Sequence, residues 1–455
     1  MKKPIISVSG LRGIVGESLD PLLAQRFVLG FASQLKPGPV IVSRDGRESG
    51  KMLARSVSAG LMAAGYDVLD ADVCATPTVG VLVRNLQCSG GIQISASHNP
   101  SEYNGIKLFG PDGRVISAEQ GQSVIDAFNK SEFEFVSHDL VGDCQPIDDP
   151  VSAHLERVLS TVDVEAIRKR KFNVVLDSNH GAGSVLARRL LDELNCQYRI
   201  LGDSPDGNFE HTPEPTAENL SDVAASARDF GADVVFCQDP DADRLAIIDE
   251  SGNYIGEEYT LAITLSHALS QAATGGFGEY ERKVVINCAT SRMSVDIAEA
   301  NGCQCLISAV GEANVTGQMI DARAVYGGEG NGGPIDPRVG FVRDSFVGMA
   351  QTLDAMAGND KKISELASQI SPYSIVKSKV QIEREAIGSA LDRIANEFEC
   401  KELNRMDGLR LDFDDSWLLV RASNTEPIVR VIAEAPSLPQ AEELVNKASS
   451  YLDAN

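Results

Sequence analysis

Three stretches of the chain repeat one grammar: an apolar strand rich in β-branched residues, a short polar or glycine-containing turn, then a segment with apolar residues at helical spacing. They are "PVIVSRDGRESGKMLARSVSAGLMAAG" from Pro39, "KFNVVLDSNHGAGSVLARRLLDELN" from Lys171 and "RKVVINCATSRMSVDIAEANG" from Arg282. In the second, Leu186, Leu190, Leu191 and Leu194 mark the buried stripe of a helix. Such a chain folds as one α/β unit used three times, at spacings too long for a solenoid. Its 455 residues exceed one hydrophobic core and allow about three or four domains.

After "SELASQISPYS" (364–374), a serine and proline cluster that reads as a linker, the grammar changes. Strand-like "SIVKSKVQI", "LRLDF", "SWLLVRAS" and "IVRVIAEA" alternate with helical "AIGSALDRIANEFE" and "LPQAEELVNKASSYL", the order of a smaller α+β domain.

Charge and cysteine usage narrow the function. A net charge of −24 repels polyanions, which argues against nucleic acid and leaves an anionic small molecule possible only where basic residues gather locally. No apolar run approaches the roughly 20 residues of a membrane span. The opening "MKKPIISVSG" lacks the apolar core of a signal peptide, so a cytoplasmic protein with no membrane partner is expected. Nine scattered cysteines without a C-x-x-C pair read as reduced thiols.

Four stretches carry chemistry. In "GADVVFCQDPDADRLAIIDESG", Asp239, Asp241 and Asp243 alternate just after a buried-looking strand. In an extended or turning backbone the three carboxylates can converge, which is costly without a cation and suits Mg²⁺ with a phosphate oxygen as a further ligand. The same aspartates with Glu250 fall at EF-hand positions, but Arg244 stands where that loop needs glycine, "LAII" replaces polar ligands, and a strand precedes. "GGEGNGGPID" (327–336) sets five glycines around Glu329 and Asn331, with Asp336 closing the stretch. It serves equally as a flexible turn or as a loop whose polar side chains meet sugar hydroxyls. "RASNTEPIVR" (421–430) places Arg421, Ser423, Asn424, Thr425 and Arg430 around one turn, a phosphate cradle or a surface ST-turn. Lastly, "GIQISASHNP" (91–100) puts Ser97 beside His98 after a strand. Neighbours on an extended chain point to opposite sides, so a hydrolase-type Ser-His couple is not expected. A serine that alternates between hydroxyl and phosphoserine against the aspartate loop fits better.

These four stretches, in this order and over essentially the whole chain, resemble the α-D-phosphohexomutase family, which includes phosphoglucomutases, phosphomannomutases and phosphoglucosamine mutases. The resemblance implies that Ser97 is the phosphorylated residue. It also implies that Asp239, Asp241 and Asp243 hold Mg²⁺ together with it, and that Arg244 completes the D-x-D-x-D-R loop. Glu329 with Asn331 would read sugar hydroxyls, and Arg421 to Pro427 would bind the phosphate that is not being transferred. "SGLRG" (9–13) and "NGIK" (104–107) similarly imply that Arg12 and Lys107 serve the active site, Lys107 in acid/base work or as a supporting charge.

The implied fold is three similar α/β domains of mixed sheets flanked by helices plus a TBP-like α+β domain, arranged around one central cleft. The expected divisions are 1–152, 153–254, 255–369 and 370–455. The implied reaction interconverts hexose 1- and 6-phosphates through a phosphoserine and a 1,6-bisphosphate, which also primes the enzyme unless phosphorylation does; the chain would be a monomer or homodimer. Many bacterial members carry G-E-x-S-G-H where this chain has "GEGNGG", with Asn331 at the serine place and Gly333 at the histidine place. That variant tilts the expected sugar toward glucosamine phosphate, with glucose and mannose phosphates as alternatives. A sugar phosphatase using the same metal loop is the rival reaction, and the second phosphate cradle speaks against it.

Overall fold

The computed structural model describes residues 3–422 and 428–453. The chain divides into two compact units, Met1–Ala268 with Asn331–Ala367, and Leu269–Gly330 with Ser368–Asn455.

In the first unit, the segment from Pro39 forms the strand Val40–Arg44 and the helix Gly50–Ala63. The strand lies within a seven-stranded sheet of order Ile5–Ser7, Gly10–Ile14, Tyr103–Phe109, Gly90–Ile94, Val40–Arg44, Val68–Val73, Cys144–Pro146. The first four strands pair antiparallel, and from Gly90–Ile94 onward the pairs are parallel. Parallel neighbours need crossovers, and helices such as Gly50–Ala63 and Thr76–Asn85 supply them. Val40, Val42, Ile92 and Ile94 meet Phe27, Phe31, Leu53, Val57 and Leu61 in the core on one face. Helix Thr76–Asn85 comes close on the other because Gly91 has no side chain: a Cβ there would stand 2.7 Å from Val83 and 2.9 Å from Val79.

The segment from Lys171 forms the strand Asn173–Asp177 and the helix Gly183–Glu193. It belongs to a four-stranded sheet of order Leu245–Ile248, Val234–Gln238, Asn173–Asp177, Gln197–Leu201. Val234–Gln238 runs parallel to Asn173–Asp177 and antiparallel to Leu245–Ile248. The aspartate stretch is therefore the turn at the carboxyl end of a parallel strand, where α/β sheets place ligand-binding loops. "GIQISASHNP" likewise leaves the carboxyl end of Gly90–Ile94.

In the second unit, the segment from Arg282 forms the strand Glu281–Asn287, parallel to both Gln304–Ser308 and Ala324–Glu329. The C-terminal part is an antiparallel five-stranded sheet of order Ser374–Gln381, Ile428–Ala435, Trp417–Ala422, Leu409–Asp412, Glu402–Asn404. Leu418, Val420, Val429 and Val431 point to the face covered by helices Ile387–Glu397 and Leu438–Asp453. The alternate residues Trp417, Leu419 and Ile432 pack with Cys288 on the other face. The strand Glu402–Asn404 was not expected, since three mostly polar residues carry no alternation to read. The expected fold class holds: α/β units built on sheets flanked by helices, followed by an α+β domain. Among the described residues no helix is long and apolar enough to cross a membrane.

Candidate active site

Ser97 is buried and its backbone is left-handed, with φ +49°. Few non-glycine residues accept that conformation without surrounding structure to hold it. The hold is visible. Ser97 N–H donates to Ser95 Oγ at 2.8 Å, and Ser95 Oγ donates to Asp45 Oδ2 at 2.7 Å. The same Asp45 oxygen accepts from Arg47 Nε at 3.0 Å. The Arg47 guanidinium then donates to Pro100 O (2.6 Å), Tyr103 O (2.9 Å), Ser97 O (2.7 Å) and Asn99 O (2.6 Å). Every N–H of a fully buried guanidinium is thus spent on Asp45 and the serine loop, and the Phe209 ring lies 5.0 Å from it.

Sequence reasoning gave Arg47 no role, although it lies in the first quoted segment. Arg47→Lys is expected to lower kcat about 100-fold with KM within about threefold, because three rotating donors cannot replace a planar fork that fixes four carbonyls. Steady-state kinetics on the folded variant check this; a kcat within about threefold of wild type would remove the loop-clamping role.

The left-handed turn also corrects the expectation for Ser97 and His98. They do not point apart, because the backbone is not extended there: Ser97 Oγ and His98 Nδ1 are 3.2 Å apart. Burial, with Arg244 and Arg12 nearby, lowers the His98 pKa to about 3, so the ring is neutral near pH 7.

Opposite the serine stands the aspartate loop. Ser97 Oγ donates to Asp239 Oδ2 at 2.7 Å. Asp239, Asp241 and Asp243 are fully buried, and one carboxylate oxygen from each lies within 4.8 Å of the others, the one such group among the described residues. The turn holds this shape with a second left-handed non-glycine residue, Ala242 at φ +54°, and with Asp239 Oδ1 accepting from the N–H of Asp243 and of Arg244 at 3.2 Å each. Lys107 Nζ donates to Asp241 Oδ2 at 2.5 Å and to Asp243 Oδ2 at 2.9 Å. Thr76 Oγ1 also donates to Asp241 Oδ2. Arg343 Nη2 donates to Asp243 Oδ2 at 2.7 Å, and Arg244 Nε lies 3.7 Å from its Oδ1.

The other oxygens, Asp241 Oδ1 and Asp243 Oδ1, are buried with no hydrogen-bond partner among the described residues. Orphaned buried carboxylate oxygens are costly, and converging hard oxygens are the donor set of a divalent cation, so these residues fit a metal ion.

Electrostatics separates the three acids. Burial together with Asp243 and Asp241 pushes the Asp239 carboxyl well above its usual range. Burial opposes ionisation of Asp241 and Asp243 as well, but Lys107 outweighs it at Asp241, and Arg343 with Lys107 outweighs it at Asp243; both are held low. Burial would lower the Lys107 pKa, yet Asp241 and Asp243 prevail and raise it. Lys107 is thus held as a cation between two carboxylates. Arg12 comes from the neighbouring strand, where it faces Gly105, so Lys107 two residues on shares its side of the sheet. Its Nη1 donates to Asn99 Oδ1 at 2.7 Å, within the serine loop.

The sugar-loop and phosphate-loop residues fall differently. Asn331 lies in the first unit, its Oδ1 buried without a hydrogen-bond partner among the described residues. Gly332 O accepts from Leu245 N at 2.8 Å, tying this stretch to the end of the aspartate loop. In the second unit, Glu329 is buried, and its Oε1 accepts from Asn287 Nδ2 at 2.7 Å and Gly311 N at 3.1 Å. Arg421 Nε pairs with Asp407 Oδ2 at 3.0 Å, an oxygen that also accepts from Val310 N at 3.1 Å.

Arg421 stands directly across from Arg430, and Arg430 across from Lys379. Opposed residues share a face, so three cations form a row beside the turn, of which the sequence flagged two. Ser423, Asn424 and Thr425 lie outside the described residues.

The chain is 35% identical over 452 residues to the phosphoglucomutase/phosphomannomutase of Thermococcus kodakarensis, covering 98% of this chain and 97% of that one. It is 33% identical to a probable phosphoglucosamine mutase of Methanopyrus kandleri, covering 96% and 95%. The crystal structure of a phosphoglucomutase/phosphomannomutase family protein from Burkholderia thailandensis superposes with a TM-score of 0.86 at 25% identity, over 99% of this chain and 97% of that one. Residues 4–135, 152–252 and 257–373 match alpha/beta/alpha domains I, II and III of one family, and 376–449 match its C-terminal domain. The chain therefore belongs to the phosphoglucomutase/phosphomannomutase family and is a phosphohexomutase, an isomerase that works by intramolecular phosphoryl transfer.

Proposed function

We propose that the protein interconverts hexose 1- and 6-phosphates through phospho-Ser97 and a 1,6-bisphosphate, with Mg²⁺ held by Asp239, Asp241, Asp243 and the Ser97 group, and with glucosamine phosphate as the preferred substrate. The observation that carries the reading is the Ser97 hydroxyl 2.7 Å from Asp239 inside a buried three-aspartate cluster ringed by cations.

When bound, the metal ion supplies positive charge to the oxygens of the transferring phosphoryl group. The protein does the rest by position and charge. Arg47 and Asp45 fix the serine loop. Phospho-Ser97 gives its phosphoryl group to the free hydroxyl of the bound sugar phosphate; the P–Oγ bond breaks as the bond to the sugar oxygen forms, and the hydroxyl proton passes to a base. After the bisphosphate reorients, Ser97 Oγ takes the other phosphoryl group: the P–O bond to the sugar breaks as the bond to Oγ forms, and the proton that leaves Oγ ends on the released sugar hydroxyl, with Asp239 Oδ2 at 2.7 Å and His98 Nδ1 at 3.2 Å from Oγ. Lys107, Arg244 and Arg12 stabilise the charge at the reacting end. Arg421 and Arg430, with Ser423, Asn424 and Thr425, hold the distal phosphate, and Glu329 with Asn331 orients the sugar hydroxyls.

Glu329 meets hydroxyls that glucose, mannose and glucosamine largely share, so selection at C2 rests on other contacts. The relatives with names in both groups support glucosamine and glucose or mannose alike. The "GEGNGG" loop and the net charge of −24 favour a substrate carrying an ammonium. Two measurements test the reading. Incubation with hexose 1,6-bisphosphate should add one phosphoryl group at Ser97 by intact mass; none added overturns the phosphoserine mechanism. Catalytic efficiencies on the three 1-phosphates should favour glucosamine phosphate by about tenfold, a difference of about 1.4 kcal/mol. A tenfold preference for glucose or mannose phosphate overturns the sugar and leaves the mechanism standing.

A further inference from the structure

The "GEGNGG" stretch ends on Gly333, and its backbone gives no reason for glycine, since it is not among the residues with positive φ. The reason is a neighbour. A Cβ at position 333 would stand 2.4, 2.7 and 3.0 Å from Cδ, Cγ and Cβ of Arg343, and its three nearest atoms all belong to that one side chain. The arginine crosses the bare face of Gly333 on its way to the aspartate loop, where Nη2 donates to Asp243 Oδ2 at 2.7 Å. Its side chain is 9% exposed, so the ion pair is shielded from solvent and salt. Lys107 holds the same oxygen, and Asp243 Oδ1, with Arg244 Nε 3.7 Å away, stays buried and without a hydrogen bond among the described residues.

We propose that Gly333 and Arg343 are a matched pair, in which the missing side chain at 333 is the passage that lets Arg343 act as a fixed counter-ion to Asp243. Arg343 is a positioning residue: it turns Asp243 Oδ1 toward the metal site, limits how tightly the three aspartates hold a divalent cation, and keeps the site receptive to a phosphate. The proposal rests on reading Asp239, Asp241 and Asp243 as the metal loop. It also gives the glycine a physical cause, because any residue with a Cβ, histidine included, collides with an arginine on this path.

Removing Arg343 makes the cluster more negative by one charge. A divalent cation is then held more tightly while a phosphate dianion is repelled, so metal affinity and turnover move in opposite directions. Simple packing damage would lower both.

The test is a Mg²⁺ titration by calorimetry, repeated as the Mg²⁺-dependent rise in melting temperature, beside steady-state kinetics on wild type, Gly333→Ala, Arg343→Ala and the double variant. Arg343→Ala should bind Mg²⁺ about tenfold tighter and turn over about tenfold more slowly. Gly333→Ala, which pushes the arginine off Asp243, should shift both quantities the same way, and the double variant should go no further than Arg343→Ala. Effects of the two substitutions that add, or Mg²⁺ affinity unchanged or weaker in Arg343→Ala, overturn the pairing. If Gly333→Ala does not fold, the Arg343→Ala titration decides alone. Wild-type protein that binds no Mg²⁺ overturns the metal-loop reading and the pairing with it, whereas normal wild-type binding with an unaltered Arg343→Ala overturns the pairing only.

Discussion

Ser97→Ala is expected to yield a folded protein whose mutase activity is lower by roughly 10⁴-fold or more, the scale of losing a nucleophile. The loss is chemical rather than structural. The substitution removes one hydroxyl that donates to Asp239 Oδ2, worth about 1–3 kcal/mol in a buried charged setting, and alanine meets the same φ of +49° that serine does. The clamp from Arg47 and Asp45 acts on backbone carbonyls and on Ser95, so it survives the change. The circular dichroism spectrum should match wild type and the melting temperature should fall by a few degrees at most. Intact mass after incubation with hexose 1,6-bisphosphate should show no added phosphoryl group. Turnover near that of wild type would sink the phosphoserine role even if the fold and the metal loop stood.

The readable part of this protein was whatever depends on local periodicity or on residue types crowded together. The three strand–turn–helix segments are the strands Val40–Arg44, Asn173–Asp177 and Glu281–Asn287 with their following helices, because β-branched runs and 3.6-residue spacing act within a few turns of chain. Three aspartates in five residues announce their own electrostatic problem, and the loop indeed carries two buried oxygens without a hydrogen bond among the described residues.

What escaped reading is non-local or conformational. Arg47 is one arginine among many in the sequence; that it spends four N–H groups on a loop some fifty residues away exists only once the sheet brings the two turns together. The Ser97 and His98 geometry departs from strand alternation because the backbone turns left-handed there, and a serine gives no warning of positive φ as a glycine would. Glu434 escaped for another reason. It sits in a run that reads as a core strand, yet it is wholly buried, accepting from Trp417 Nε1 at 2.7 Å and Arg292 N at 2.8 Å. The polar partners that make it tolerable lie on other segments.

Asp241→Asn is expected to weaken Mg²⁺ binding by about 100-fold or more and to lower activity at ordinary Mg²⁺ concentration by a comparable factor. Two effects act together. A neutral amide replaces one of three charged ligands, which cuts the attraction for a divalent cation. The amide NH₂ is also a poor neighbour, because Asp241 Oδ2 receives hydrogen bonds from both Lys107 and Thr76, and Asn can face them with only one acceptor oxygen. If that oxygen stays with Lys107 and Thr76, the NH₂ takes the place of Oδ1, the atom with no hydrogen-bond partner among the described residues, and the metal-facing ligand is lost outright. Excess Mg²⁺ should then restore part of the activity, since binding is weakened while Ser97, His98 and the cations remain in place. Chelation of wild type should abolish turnover, and adding Mg²⁺ back should recover it. A titration in which both proteins turn over independently of metal would mean that Lys107, Arg343 and Arg244 alone neutralise the three carboxylates, and that the loop is an internal ion-pair network rather than a metal site.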